Sequence, residues 1–308
     1  MITWYDRVTP RQWNDAGTWG DEASGMSRSG RLEFDTVGYW SEIKLAIIQK
    51  YASAYSTIFT AMARKGTPFK HVYIDGFAGA GTHLSRTTGE LIPGSPQIAL
   101  GVDPPFVEYH FIDLNATKTD CLKTITADHA NAHVYTDDCN IVLTRDIFPK
   151  VRYEDYWRGL CLLDPYGLHL NWDVIRAAAR TRAVEIFLNF PVADMNRNVL
   201  WRNAEGVDTD DIARMNDFWG DESWREVAYK SVRGLFGSMQ EKTDNDTLAQ
   251  AFRARLKEVA GFIFVPDPMP MRNSSNSIVY YLFFASQNAT GGKIVKDIFK
   301  SYRNFGMR

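Results

Sequence analysis

A mostly parallel α/β sheet with helices on both faces is the fold class this sequence predicts. Two observations carry it. From about residue 71, short and largely apolar runs alternate with helical stretches. The first run then ends in an acid and a glycine turn, Asp75-Gly-Phe-Ala-Gly-Ala-Gly81. Strands buried on both faces read as near-continuous hydrophobic runs, and regular strand–helix alternation implies crossover connections. With 308 residues, 45% of them hydrophobic, the chain can bury a substantial core.

The elements follow in order. Residues 1–38 are rich in Gly, Ser, Asp and Trp without periodicity. They read as an irregular extension whose Trp4, Trp13 and Trp19 dock on the body, because disordered tails are poor in aromatics. From Ser41, apolar residues recur at three- and four-residue steps (Ile43, Ile47, Ile48, Tyr51, Tyr55, Ile58, Phe59), which predicts a helix capped by Ser41 and stopped at Gly66. Strands are predicted at 71–76, 108–113, 133–136, 160–164, 184–190, 262–266 and 278–286. Helices are predicted near 96–101, 115–128, 138–147, 171–181 and 245–258. Gly291-Gly292 is expected to separate the last strand from a final basic helix. Residues 195–240 are acidic and Trp-bearing with no strand signal, and read as a helical insertion into a domain covering 39–308.

Bulk properties exclude several classes. Acidic residues (37) nearly balance basic ones (35), so net charge gives no support for nucleic acid. Lys293, Lys296, Lys300, Arg303 and Arg308 can form a local basic face, most simply a solvated one. Cys121, Cys139 and Cys161 are far apart and odd in number, which argues against a disulfide framework or zinc site and fits a cytoplasmic protein. The histidines lack metal-ligand spacing, and His83 and His169 read as surface loop residues. No apolar run has membrane length and no signal peptide is evident. Trp40, Trp172, Trp201, Trp219 and Trp224 read as packing residues. Glu185, inside an apolar strand, should be paired or at an edge.

The glycine turn is the first candidate site. In open parallel sheets, ligands bind beyond the carboxyl ends of the strands where the order reverses. A phosphate-cradling P-loop needs Gly-Lys-Ser/Thr, but Thr82-His83 follows Gly81. A dinucleotide turn needs a third glycine and an immediate helix N-terminus. Here the helix signal waits for Gly94-Ser95-Pro96, with Ser95 as cap. S-adenosylmethionine carries no phosphate, so a displaced helix is no obstacle to it. Asp75, Gly76, Phe77, Ala78, Gly79 and Gly81 are therefore assigned to its binding.

Later strand ends supply further acids. Asp113 can accept from both ribose hydroxyls, or it can cap the next helix. Asp137 or Asp138 can accept from the adenine amino group. Asp138, with Cys139 beside it, is favoured because the helix pattern begins just after it, and helix capping is again the rival. Asp164-Pro-Tyr-Gly167 follows an apolar strand; Asp164 there can bind an amine and Tyr166 can pack on a flat group or a sulfonium. Asn189, at the next strand end, faces the same cleft in this reading.

Together these residues resemble the Rossmann-fold S-adenosylmethionine-dependent methyltransferases. The FAGAG stretch is similar to the first motif of DNA and RNA methyltransferases, and DPYG to their Asp/Asn-Pro-Pro-Tyr/Phe motif, with Tyr166 standing in place of the second proline. Over residues 38 to 300 the chain further resembles the three-Cys-motif partner family, TcmP. The matching pieces are Trp40-Ser-Glu-Ile-Lys44, YIDGFAGAG, Gly94-Ser-Pro, YHFIDLN, Asp-Cys-Asn, LLDPYG and Asn196-Arg-Asn198. The resemblance implies a class I methyltransferase fold with an antiparallel last strand and a partner that is a three-Cys-motif radical S-adenosylmethionine-like protein. Two functions follow as expectations. One is methyl transfer to a nitrogen or oxygen, with Asp164 and Tyr166 at the acceptor. The other is a non-catalytic adaptor that binds cofactor or substrate for that partner.

Overall fold

The computed structural model describes residues 34–201, 206–234, 237–273 and 275–303. Trp4, Trp13 and Trp19 lie outside the described residues. A short strand β1 (Thr36–Val37) precedes helix α1 (Tyr39–Arg64). This helix starts ahead of the expected Ser41, because the Gly38 carbonyl accepts the N–H groups of Ser41 (2.9 Å) and Glu42 (3.3 Å). Next come β2 (Lys70–Asp75), β3 (Thr82–Ser85), β4 (Leu91–Pro93), α2 (Ser95–Leu100), β5 (Glu108–Asp113), α3 (Ala116–Ile125) and β6 (Ala132–Thr136). Helix α4 (Cys139–Val142) widens into a looser turn over Leu143–Ile147. β7 (Trp157–Leu163), α5 (Trp172–Thr181), β8 (Val184–Phe190) and α6 (Val192–Asn198) complete the parallel part. Then follow α7 (Thr209–Trp219), α8 (Trp224–Ala228), β9 (Tyr229–Gly234), β10 (Gly237–Lys242), α9 (Asn245–Glu258), β11 (Met269–Arg272), β12 (Ile278–Ala285) and α10 (Ala289–Tyr302).

The main sheet has the order β6-β5-β2-β7-β8-β12-β11. β6, β5, β2, β7 and β8 are parallel, while β12 runs antiparallel to β8. β11 is antiparallel to β12 and so points with the parallel strands. This is the expected Rossmann-like class I methyltransferase arrangement. The chain moves outward from β2 through β5 to β6, then returns to β7 on the other side. The reversal lies between β2 and β7, which puts the carboxyl ends of those strands at the crevice of such sheets.

Successive residues of one strand enter different cores, as a two-residue period demands. Ile74, Cys161 and Ile186 pack on the side of α5 and α9. Tyr73, Leu160, Leu162 and Phe187 pack against Ile47, Tyr51 and Tyr55 of α1 and Val295 and Phe299 of α10. Both faces are therefore apolar, which is why these strands were legible as uninterrupted runs.

Four further expectations need correction. The 262–266 segment makes only an isolated bridge, Phe264 to Ser286, and the edge strand is instead Met269–Arg272. Pro270 within it is tolerated because an edge strand leaves one side unpaired. Residues 195–240 contain, besides helices, the antiparallel pair β9–β10. Trp172, Trp219 and Trp224 are buried as expected, but Trp201 is exposed. Gly291 and Gly292 do not separate strand from helix; they sit in the first turn of α10.

The reason for those glycines is proximity. Glu185 lies in the middle of the sheet, where it accepts hydrogen bonds from Tyr51 and from Ser286 (2.9 Å). Burial pushes its carboxyl up to about 7 despite both donors. A Cβ on Gly291 would stand 2.6 Å from the Tyr51 hydroxyl and 2.8 Å from Glu185 Oε1. Gly291→Ala should therefore lower unfolding free energy by about 1–3 kcal/mol in urea titration, the usual cost of overpacking. An unchanged midpoint would contradict this close approach.

Candidate functional site

The glycine turn is stretched across the sheet reversal by its own backbone. Gly76 N–H donates to Leu162 O of β7 (2.9 Å), and Ala78 N–H donates to Ile112 O of β5 (2.9 Å). Phe77 N–H turns back to Asp75 Oδ1 (3.2 Å), and the Phe77 ring packs on the larger core. Gly79 and Gly81 hold φ of 64° and 78°, the left-handed region where only glycine is unstrained. A Cβ on Gly81 would strike Ile125 Cδ1 at 2.7 Å, whereas one on Gly79 would meet nothing within 4 Å. The turn is thus packed behind Gly81 and open in front of Gly79.

The helix delay is explained by β3 and β4, a hairpin inserted between Gly81 and Ser95. Gly94 N–H donates to Gly81 O (2.8 Å) and pinches the hairpin shut at its base. Gly94, not Ser95, is the N-cap of α2. β1 pairs parallel with β3, so the segment before α1 adds a third strand to the edge of this hairpin. Phe34 anchors it, buried with Ala80 of the turn and Cys121 of α3.

Asp75, Asp113 and Asp138 end or follow β2, β5 and β6, three neighbouring strands of the sheet. Asp113 is buried, and its Oδ2 accepts from Gly79 N–H (2.9 Å) while Oδ1 accepts from Asn115 N–H (2.8 Å). The cap of α3 is Asn115, which accepts from Thr117 and Lys118 N–H. Asp113 is therefore spared from capping and ties the glycine turn to the second strand. Asp138 does cap α4, accepting from Asn140 N–H (2.8 Å) and Asn140 Nδ2 (2.9 Å). The Cys139 thiol points into the core, where burial and then Asp138 push it well up; only its main chain is left for a ligand. Asn140 was not singled out from sequence. It donates to His169 O (3.2 Å) and accepts from Asn171 N–H (2.8 Å), holding the loop after Asp164 to the β6 end of the rim.

Asp75 is sealed in, and burial pushes its carboxyl up to about 7, against the lowering pull of Ser95, the Phe77 N–H and Lys44. Its Oδ2 has no partner among the described residues; Asn189 Oδ1 and His83 Nδ1 are also buried and unpartnered. His169 is exposed as expected, but His83 is not a free surface residue. Asp164 is engaged by the ammonium of Lys44, a buried side chain from α1 whose Nζ lies 5.5 Å from the centre of the Tyr280 ring. Burial alone would lower the Lys44 pKa, yet Asp164, Tyr280 and Asp75 together raise it. Tyr166, half exposed, donates to Asp35 (2.9 Å), and Lys118 donates to the same carboxylate (3.0 Å) while lying 4.9 Å from the Tyr166 ring centre. Asp35, Lys118 and Tyr166 thus latch the segment before α1 across the rim.

An adenosyl amino acid fits this set of acceptors. It brings an ammonium, which an unpartnered carboxylate oxygen such as Asp75 Oδ2 lacks. It also brings ribose hydroxyls, for which Asp113 retains unused lone pairs beside the open front of Gly79.

No protein-family model matches the chain, and no curated protein matches it. Among solved structures, protein LPL1258 from Legionella pneumophila is similar over 86% of this chain and 92% of its own, with 12% identity and a TM-score of 0.47. The trans-methyltransferase CalH, in complex with SAH, is similar over 80% of this chain and 57% of its own (13% identity, TM-score 0.38). The CurJ carbon methyltransferase is similar over 77% and 54% (14% identity, TM-score 0.36). This chain spans little more than half of those last two. The fold assignment rests on strand order and direction rather than on these distant likenesses.

The Lys44–Asp164 pair has a measurable signature. Removing one partner of a buried ion pair strands the other, typically at about 3–5 kcal/mol. Because the Asp164 side chain keeps 26% of its exposure, Lys44→Met is expected to cost less, about 2 kcal/mol. Adding Asp164→Asn should recover most of that loss in urea unfolding. Equal and additive losses would contradict a direct pairing.

Proposed function

We propose that this protein is an S-adenosylmethionine-dependent methyltransferase acting on an oxygen or nitrogen acceptor. The observation that carries the reading is Asp113, a buried carboxylate fastened to Gly79 at the carboxyl edge of the sheet and free of helix capping. Asp113 would hold the ribose, the main chain at Gly76–Gly79 the methionine part, Asp75 its ammonium, and the Asp138–Cys139 turn the adenine. S-adenosylmethionine supplies a methyl group already activated by a sulfonium. The protein's own contribution is placement: alignment of two reactants is worth several orders of magnitude in rate. Asp164 and Tyr166 line the acceptor side, and the Asp35–Lys118–Tyr166 latch would close the site and exclude water.

A second reading has one observation in its favour. Lys44 already occupies Asp164, and Tyr166 is tied to Asp35, so the residues expected to meet an acceptor are engaged within the chain. A cofactor-binding adaptor, serving the radical S-adenosylmethionine-like partner that the sequence resemblance implies, accommodates that arrangement. Transfer of labelled methyl to an acceptor, with and without the partner, separates the two readings.

Calorimetric titration with S-adenosylhomocysteine tests what both readings share. Wild type should bind, and Asp113→Ala should weaken binding about 10- to 100-fold, the worth of one or two lost hydrogen bonds to a charged group. Melting temperatures of both proteins distinguish lost binding from lost fold. Equal affinity in folded wild type and variant would overturn the assignment of Asp113.

A further inference from the structure

His83 projects from β3, directly after the glycine turn, yet its ring nitrogen Nδ1 is buried and has no hydrogen-bond partner. A neutral imidazole carries one N–H and one bare nitrogen. A buried bare nitrogen costs free energy unless something donates to it. The charged groups acting on this ring are Asp35, Lys44, Asp164 and Lys118, from four separate parts of the chain. They pair among themselves, Lys44 with Asp164 and Lys118 with Asp35. Two carboxylates and two ammonium groups cancel, so the charges acting on the ring sum to zero.

Other candidate bases are less available. Asp164 is held by an ammonium. Asp75 is assigned above to the cofactor ammonium, and its other oxygen is taken by Phe77 N–H. Burial also lowers the His83 pKa, which leaves a ring nitrogen bare before reaction.

We infer that His83 is a catalytic base at this site: its Nδ1 takes the proton of the methyl acceptor, and the acceptor is a neutral hydroxyl or N–H rather than a cationic amine. The inference rests on the methyltransferase reading above. The acceptor X–H uses a lone pair on X to form the bond to the methyl carbon. The carbon–sulfur bond breaks, its electron pair stays on sulfur, and the X–H proton passes to Nδ1. The resulting imidazolium is stabilised by Asp164 and Asp35 and later returns its proton to water. A cationic amine has no free lone pair with which to attack the methyl carbon, and would have to lose a proton before the transfer.

The test needs no knowledge of the acceptor. Sinefungin carries an ammonium where the cofactor carries its sulfonium methyl, so it presents a donor towards the acceptor side. In calorimetry, wild type should bind sinefungin about tenfold tighter than S-adenosylhomocysteine, the worth of one charge-assisted hydrogen bond. In His83→Leu that preference should fall to about one, with S-adenosylhomocysteine affinity unchanged. A preference that survives the substitution, or an equal loss for both ligands, would overturn the assignment; the latter marks a structural role. Should the variant not fold, nitrogen NMR of the wild-type imidazole gives the same decision. Nδ1 must be bare with S-adenosylhomocysteine and must shift on binding sinefungin, and an unmoved Nδ1 resonance refutes the proposal. A wild type that does not bind S-adenosylhomocysteine sinks the methyltransferase reading itself, and this inference with it.

Discussion

The hydrogen bond from Gly79 N–H to Asp113 is the constraint on which the site depends. Without it, the glycine turn would be fixed at its root by Gly76 and Ala78 but free at its tip. With it, the tip of the turn from one strand is pinned to the end of the next. A carboxylate in this position is costly to bury unless its oxygens are satisfied. Backbone N–H groups of Gly79 and Asn115 do so from two sides. The capping of α3 by Asn115 is what makes this possible, because it relieves Asp113 of the commonest duty of an acid at a strand-to-helix junction.

Once the turn is pinned, the displaced helix follows. A hairpin can leave the turn at Gly81 and return to Gly94 because those two residues are joined directly by a hydrogen bond. The hairpin then offers β3 as a pairing edge for β1, and Phe34 finds a small apolar seat between the turn and α3. That seat is far smaller than either main core. Few apolar contacts and a polar latch describe a segment that opens at lower free energy than the sheet beneath it.

Much of the architecture was legible in the sequence. Strands buried on two faces announce themselves, so β2, β5, β7 and β8 fell within a few residues of their expected bounds. β11 was missed because prolines break its run, and β3 and β4 because short, partly polar hairpin strands carry little periodic signal. The acids at the strand ends were legible because a strand-end acid beside a glycine turn is a local pattern. Lys44 and His83 were not. Lys44 meets Asp164 across 120 positions of chain, and it reads locally as one more polar residue of an amphipathic helix. His83 gained its meaning only when the segment before α1 and the loop after β7 were brought around it. Asp35 and Lys118 were invisible for the same reason.

The central claim is that one rim of the sheet, from β6 to β7, encloses an adenosyl group. The most direct measurement is a crystal structure of the protein grown with S-adenosylhomocysteine. The account predicts ribose hydroxyls on Asp113, the amino-acid end beside Asp75 and Lys44, and the adenine at the Asp138–Cys139 turn. A ligand bound elsewhere, or a rim whose interior is filled by the chain's own side chains with the nucleoside excluded, would contradict it.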